Sequence, residues 1–147
     1  MRRAGRLALL IAPLMGCIRA PEVVYELPVG YRGVFAVRVA ADAPDLPSER
    51  RTYYVRVPPS GLIEAGDDYP LSRWHGSSAA FVDGTSIDVA RGHADPPYDA
   101  ETLRLFYLAT TPEPRHYYFV GTEADLAELP QGNVAALPLG GVPSAPP

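Results

Sequence analysis

Residues 34–39, Val-Phe-Ala-Val-Arg-Val, are the stretch that best defines the fold of this chain. Side chains two positions apart point to the same face of a β-strand, so Phe35, Val37 and Val39 share one face. Arg38 lies on the opposite face. This alternation predicts a strand with one apolar face turned towards a protein core.

Similar short apolar stretches recur along the chain, and glycine- and proline-bearing turns separate them. The predicted strands occupy residues 23–25, 34–39, 51–57, 62–63, 79–82, 86–89, 103–110 and 117–120. The pair Asp83-Gly84 between two of them is a typical hairpin turn. Short strands with turns about every 8–12 residues predict an all-β fold, and we expect a small antiparallel β-sandwich, with a partly open barrel as the alternative.

One short helix is predicted near the C-terminal end. Thr122 is followed three positions later by Asp125, as in a capping box, and Pro130 ends the apolar-acidic run after about two turns. We therefore expect a single domain over residues 23–139 with one short C-terminal helix. Residues 140–147 are rich in glycine and proline and are predicted to form a disordered tail.

An export signal is predicted at the N-terminal end. Three arginines within the first six residues precede an apolar run over residues 7–15, which is shorter than the roughly 20 residues that span a bilayer. The sequence Leu14-Met15-Gly16-Cys17 resembles the lipobox of bacterial lipoproteins. The resemblance implies that residues 1–16 form a signal peptide, that cleavage falls between Gly16 and Cys17, and that Cys17 carries lipid. Residues 17–22 are then the lipidated cysteine and a spacer.

The cysteine content and the residue after Cys17 bear on where the protein is held. Cys17 is the single cysteine, and lipidation consumes a thiol that would otherwise be an odd reactive group in an exported chain. Each buried methylene contributes about 0.8 kcal/mol, so several acyl chains hold a protein firmly in a membrane. Ile18, rather than aspartate, follows Cys17, which by analogy favours an outer membrane. The expected location is the cell envelope, on a periplasmic or surface face.

The charge composition excludes several function classes. The formal net charge is −4, and it becomes −7 once Arg2, Arg3 and Arg6 leave with the signal peptide. An acidic surface argues against nucleic acid as a partner. All 13 basic residues are arginine, which excludes lysine-dependent chemistry such as Schiff bases. We expect no cofactor.

Three stretches resemble a family of uncharacterised bacterial lipoprotein or secreted domains, of the domain-of-unknown-function kind. Residues 25–33 are similar to that family's IPEGYxG stretch, and residues 57–62 to its IPxSGxL stretch. The third is the Trp74 region leading to residues 81–84, with residues 118–122 near the end. Val29 departs from the acidic residue that the family pattern favours. The resemblance implies a β-sandwich domain and the lipoprotein class, and it brings no activity.

The histidines and nearby aspartates are the first candidates for catalysis. His75, His93 and His116 are too far apart for a local metal motif. His93 with Asp95 and Asp99 offers nitrogen and oxygen ligands, but a solvated loop explains the same residues, and we expect no metal site. The alternative function is an envelope hydrolase or metal-dependent enzyme that uses His75, His93 and the nearby aspartates.

Aromatic residues provide the favoured functional hypothesis. Adjacent residues of a strand point to opposite faces, so one tyrosine of residues 53–54 and one of residues 117–118 are expected to be exposed. The candidate binding surface is Tyr54, Trp74 and Tyr118, although packing within the sheet explains these rings equally well. Trp74 itself is expected to anchor a surface loop. The sequence thus favours a non-catalytic binding or structural module whose partner is an envelope protein or polymer.

Overall fold

A computed structural model describes residues 20–91 and 99–141 of the chain. Its strands are β1 (Glu22–Leu27), β2 (Gly33–Val39), β3 (Ser48–Glu49), β4 (Thr52–Arg56), β5 (Leu62–Ala65), β6 (Gly76–Phe81), β7 (Ser86–Val89), β8 (Arg104–Thr111), β9 (Arg115–Gly121) and β10 (Gly140–Gly141). One α-helix, α1 (Glu123–Glu128), and a 3₁₀ turn over Val134–Ala136 complete the described elements. The predicted signal peptide and Cys17 lie outside the described residues.

The strands form one curled, half-barrel-like sheet in the order β10-β2-β9-β8-β7-β6-β1-β4-β3, and β5 pairs with β2 beside β10. The all-β class is confirmed, and the partly open barrel describes the architecture better than a sandwich of two antiparallel sheets. The sheet is mixed, because β1 runs parallel to both β4 and β6, β2 to β5, and β7 to β8. The sequence signals local hairpins, which are antiparallel, and carries no comparable mark for pairs that form across long connections.

The local predictions of hairpin and helix are confirmed. The Asp83-Gly84 turn joins β6 and β7, and Thr85 donates its backbone N–H to the Asp83 carboxylate at 2.9 Å. Helix α1 begins after Thr122, whose hydroxyl accepts from the backbone N–H of Asp125 while the Asp125 carboxylate accepts from that of Thr122. These two bonds satisfy donors that a helix otherwise leaves open, and the Thr122 backbone bond lowers the pKa of Asp125.

Both faces of the central strands are buried. The concave face carries the main core, which includes Val23, Tyr25, Leu27, Phe35, Val37, Val55, Leu105, Tyr118 and Val120. The convex face of β2, β8 and β9 is covered by α1 and the 3₁₀ turn, which pack on Val34, Ala36, Phe106, Tyr117 and Phe119. This double burial explains why the β8 stretch is apolar on both faces.

A cluster of aromatic rings fills the interior of the half-barrel. Phe35 stacks on Tyr118 with ring centroids 5.0 Å apart, and Tyr25 lies 5.1 Å from Tyr118. Burial raises the pKa of Tyr118 to about 12 and also raises that of Tyr25. Tyr118 is only 4% exposed, so its assignment to an exposed binding surface is wrong. Tyr117 is buried as well, because the helix side covers the face to which it points.

The half-barrel has two ends. At the lower end, defined here as the end where β1, β4 and β6 begin, the loop over residues 66–75 turns inward and buries Pro70 and Leu71. At the upper end, the Tyr31 hydroxyl donates to the Val34 carbonyl at 3.1 Å. Gly61 adopts φ +72° there, beside the backbone of Gly140.

The predicted tail begins later than the sequence indicates. Gly140 and Gly141 pair with Val34 and Gly33 as β10, so the first two residues of the tail predicted over 140–147 belong to the sheet. Backbone pairing with β2 fixes glycines that composition alone assigns to disorder. Residues 142–147 lie outside the described residues.

Candidate functional site

The lower half of the sheet is split between β6 and β8. Pairing of β6 with β7 involves only Ala79 and Ala80, and pairing of β7 with β8 reaches only Leu105. On this side residues 76–78 of β6 and 106–111 of β8 therefore have no paired strand among the described residues. Such an opening exposes side chains that would otherwise point into a closed barrel.

A chain of polar side chains lies beside this opening. The Tyr107 hydroxyl is 2.7 Å from the Thr110 Oγ1, and that oxygen is 2.9 Å from the His116 Nδ1. The His116 Nε2 faces the Asp68 Oδ2 at 3.7 Å. Three hydrogen-bonded side chains from β8 and β9 thus point to a carboxylate on the loop that fills the lower end.

A β-bulge makes this arrangement possible. In a regular strand, residues three positions apart face opposite sides, so Tyr107 and Thr110 would be separated by the sheet. The register shifts between Tyr107 and Ala109, and Tyr107 pairs with Tyr118 while Thr110 pairs with His116. The extra residue brings both hydroxyls to the concave face, as bulges do when they redirect a side chain.

His116 is the buried titratable residue of this chain of contacts. Its side chain is 3% exposed, and its Nε2 has no hydrogen-bond partner within the described structure. Burial lowers the pKa of His116, the carboxylate of Asp68 opposes this effect, and the charge of His75 adds to it. The neutral imidazole is therefore favoured, with Nδ1 accepting from Thr110 and Nε2–H directed towards Asp68.

The depressed pKa of His116 predicts a pH-dependent stability. The unfolded state binds a proton near the ordinary pKa of 6.5, whereas the folded state resists protonation until a lower pH. The contribution of the neutral His116 to the free energy of unfolding is therefore complete above pH 6.5. It is lost as the pH falls from 6.5 through the lowered pKa of the folded state. We expect the free energy of unfolding, measured by denaturant titration, to fall over this window in the wild type.

The matched variant is His116→Gln, which keeps a polar side chain but does not titrate. Its stability should change less between neutral and mildly acidic pH than that of the wild type. An equal slope in the two proteins would show that His116 does not carry the acid sensitivity.

The polar chain has only part of what nucleophilic catalysis requires. A hydroxyl bonded to a neutral histidine resembles the nucleophile and base of a hydrolase. The Asp68 oxygen, however, lies beyond hydrogen-bond distance from Nε2, so the third member does not fix the imidazole. The described geometry therefore lacks a complete catalytic triad around His116.

Two residues of the predicted enzyme alternative, His75 and Asp99, fall within the described residues, and each makes a local contact. His75 is half-buried, and its Nδ1 lies 2.7 Å from the Arg73 carbonyl. Asp99 accepts from the backbone N–H of Glu101 at 3.1 Å, a local turn contact. His93 and Asp95 lie outside the described residues. Within residues 20–91 and 99–141, no group of three or more His, Cys, Asp or Glu side chains is placed to hold a metal ion.

The predicted aromatic surface is only partly present. Trp74 is 84% exposed and so does not anchor its loop, Tyr54 is half-buried, and Tyr118 is in the core. Tyr107, which lies outside the predicted binding surface, is 57% exposed. Trp74 and His75 line a cleft of about 440 Å³ together with residues 76–77 and 89–91.

No family model matches the chain, and no curated protein matches it. A 2.75 Å crystal structure described as "Putative Lipoprotein from Bacillus anthracis" is 13% identical, and the alignment covers 78% of this chain and 84% of that chain with a TM-score of 0.47. Across residues 20–91 and 99–141, the structure has no helix long and apolar enough to cross a bilayer.

Proposed function

We propose that the protein is a bacterial lipoprotein of the cell envelope, anchored through lipid on Cys17, whose β-domain is a non-catalytic binding or structural module. The observation that carries the proposal is the lipobox-like Leu14-Met15-Gly16-Cys17 directly after a short apolar run. Because the run is too short to span a bilayer, acylation is the membrane attachment that this sequence favours.

The packing of the first described residues supports this proposal. Pro21 is buried, and its carbonyl accepts from the Gly76 backbone N–H at 2.9 Å. The backbone N–H of Glu22 donates to the Arg51 carbonyl at 3.0 Å. The folded domain thus begins within four residues of Cys17, and four extended residues reach at most about 14 Å. A lipid on Cys17 would hold the domain close to the bilayer.

The proposed role as a binding or structural module follows from which surfaces of the half-barrel are buried and which side chains are exposed. The concave interior is filled by the aromatic cluster around Phe35, and the convex face is covered by α1. On the side of the sheet opening, the exposed ring of Tyr107 is left for contact. Aromatic rings bury a large area at low entropic cost, which suits contact with an envelope protein or polymer. The absence of Asp after Cys17 favours an outer-membrane location.

Replacing Cys17 with alanine tests the anchor. We expect Cys17→Ala to accumulate as an uncleaved precursor or to leave the membrane fraction, because the acyl acceptor is gone. The measurement is metabolic labelling with a fatty acid, together with mass spectrometry of the mature N-terminus and membrane fractionation. Normal lipid labelling of Cys17→Ala would exclude the proposed anchor.

Ile18→Asp is the matched control. It changes the neighbouring residue and keeps the thiol, so lipid labelling should persist. If the sorting analogy holds, the labelled protein should shift from the outer to the inner membrane fraction. Loss of labelling in Ile18→Asp would mean that the Cys17→Ala result reports a general processing defect.

A further inference from the structure

Three parallel strands begin side by side at the lower end. In the register of the sheet, Glu22 of β1 is opposite both Thr52 of β4 and Gly76 of β6. The residues that precede these starts therefore lie at one edge of the sheet. They are Arg50 and Arg51 before β4, Ala20 and Pro21 before β1, and Arg73 and Trp74 before β6.

Trp74 is the most exposed large apolar side chain of this edge. It is the single tryptophan of the chain and is 84% exposed. Exposure on this scale leaves a large apolar area in water, and so the ring contributes little to folding. Trp74 also lies only two residues from Gly76, whose N–H bonds to Pro21 beside the exit towards Cys17.

The loop that presents Trp74 is held in place. Ser72 and Arg73 donate their backbone N–H groups to the carbonyls of Asp68 and Pro70 at 3.0 and 3.1 Å. The Arg73 guanidinium lies 5.2 Å from the centre of the Tyr69 ring. An exposed ring on a supported loop is arranged for contact with something outside the domain.

We propose that this edge, the lower rim formed by Arg50, Arg51, Arg73 and Trp74, lies on the surface of the membrane to which Cys17 is anchored. This inference rests on the proposed lipid anchor. Trp74 enters the headgroup region, where tryptophan is enriched, and the exposed arginines face lipid phosphates. The domain as a whole is acidic, so the anchor supplies the attachment and the rim sets the orientation.

The length of the connection favours the membrane over other partners. A reach of at most about 14 Å between Cys17 and Pro21 leaves no room for a sizeable protein between the lower rim and the lipid. The headgroup layer on each side of the hydrocarbon core is roughly 5–8 Å thick, which lies within that reach. The upper end, with the Asp83-Gly84 turn, faces away from the bilayer.

The natural fluorescence of Trp74 supplies the test. Lipidated mature protein is placed in phosphatidylethanolamine–phosphatidylglycerol vesicles, with or without bromine on the acyl chains near the headgroups. We expect Trp74 emission to shift to shorter wavelength and to be quenched several-fold more strongly by brominated than by ordinary lipid.

The matched control moves the probe to the other end. Val82 is 71% exposed beside the upper hairpin turn, so a Trp74→Phe, Val82→Trp variant carries its single tryptophan there. This variant should show no extra quenching by brominated lipid and should remain open to acrylamide.

The outcomes separate the two proposals. A mature protein without lipid by mass spectrometry overturns the proposed function, and with it the basis for the rim. If the protein is lipidated but Trp74 is quenched no more than the tryptophan at position 82, the proposed membrane contact of the lower rim is wrong and the proposed anchor stands. Protection of Trp74 from acrylamide without quenching by brominated lipid indicates protein contact at this edge. This result would also contradict the proposed membrane contact of the lower rim.

Discussion

Replacing Phe35 with alanine is expected to lower the free energy of unfolding by about 3–5 kcal/mol. Phe35 is fully buried, and its ring contacts three tyrosines of the interior, Tyr25, Tyr31 and Tyr118, at centroid distances of 6.1, 6.3 and 5.0 Å. These rings come from β1, β9 and the upper loop, so they cannot all move in to fill the space. The measurement is urea unfolding followed by far-ultraviolet circular dichroism.

Trp74→Ala is the control for this prediction, since it removes a larger aromatic ring from an exposed position. We expect its unfolding free energy to stay within about 0.5 kcal/mol of the wild type. A loss in Trp74→Ala comparable to that in Phe35→Ala would show that Trp74 packs against the domain. That result would also weaken the case for the lower rim as a contact surface.

Gly61→Ala is the second substitution with a large expected effect. A Cβ at Gly61 would lie 2.4 Å from the Gly140 nitrogen and 2.9 Å from its Cα, and both are backbone atoms that cannot rotate away. The residue also has φ +72°, a conformation that side-chain-bearing residues rarely adopt. Strain and overlap together are expected to cost about 2–5 kcal/mol and to separate β10 from β2.

Gly84→Ala isolates the backbone component of this effect. Gly84 has φ +89°, but a Cβ there meets no atom within 4 Å. It should therefore lose only the conformational part, about 1–2 kcal/mol. If Gly61→Ala is no less stable than Gly84→Ala in the same urea titration, the close approach of the Gly140 backbone does not add to the cost of a side chain at position 61.

The elements of the fold that could be predicted are those with local signals. The alternation of Phe35 and Val37, the Asp83-Gly84 turn and the Thr122 cap each lie within a few residues, and all three are found in the structure. The parallel pairing of β1 with β4 and β6 depends on tertiary contacts and has no local pattern. Tyr118 shows the same limit, because alternation tells which way a ring points but not whether another layer covers that face.

The candidate site was still less predictable. Tyr107 and Thr110 share a face only because of the bulge in β8, and no turn or glycine in that stretch signals it. Asp68 reaches His116 only through the fold of the loop over residues 66–75. Trp74 is predicted to anchor its loop, whereas Pro70 and Leu71 are the buried residues of that loop and Trp74 is exposed.

The position of β1 in the sheet has a consequence for the order of events during the proposed export. On the proposed route, β1 is the first of the described strands to leave a translocation channel, yet its two neighbours start at Thr52 and Gly76, and the described sheet is finished only by Gly140. Until β4 emerges, both edges of β1 offer unpaired backbone groups that can pair with other chains, and one edge stays unpaired until β6 emerges. If export follows the proposed route, folding is expected to be delayed until most of the chain has crossed, and a holding chaperone beyond the membrane is expected to raise the yield of this protein more than that of a domain built from sequential hairpins.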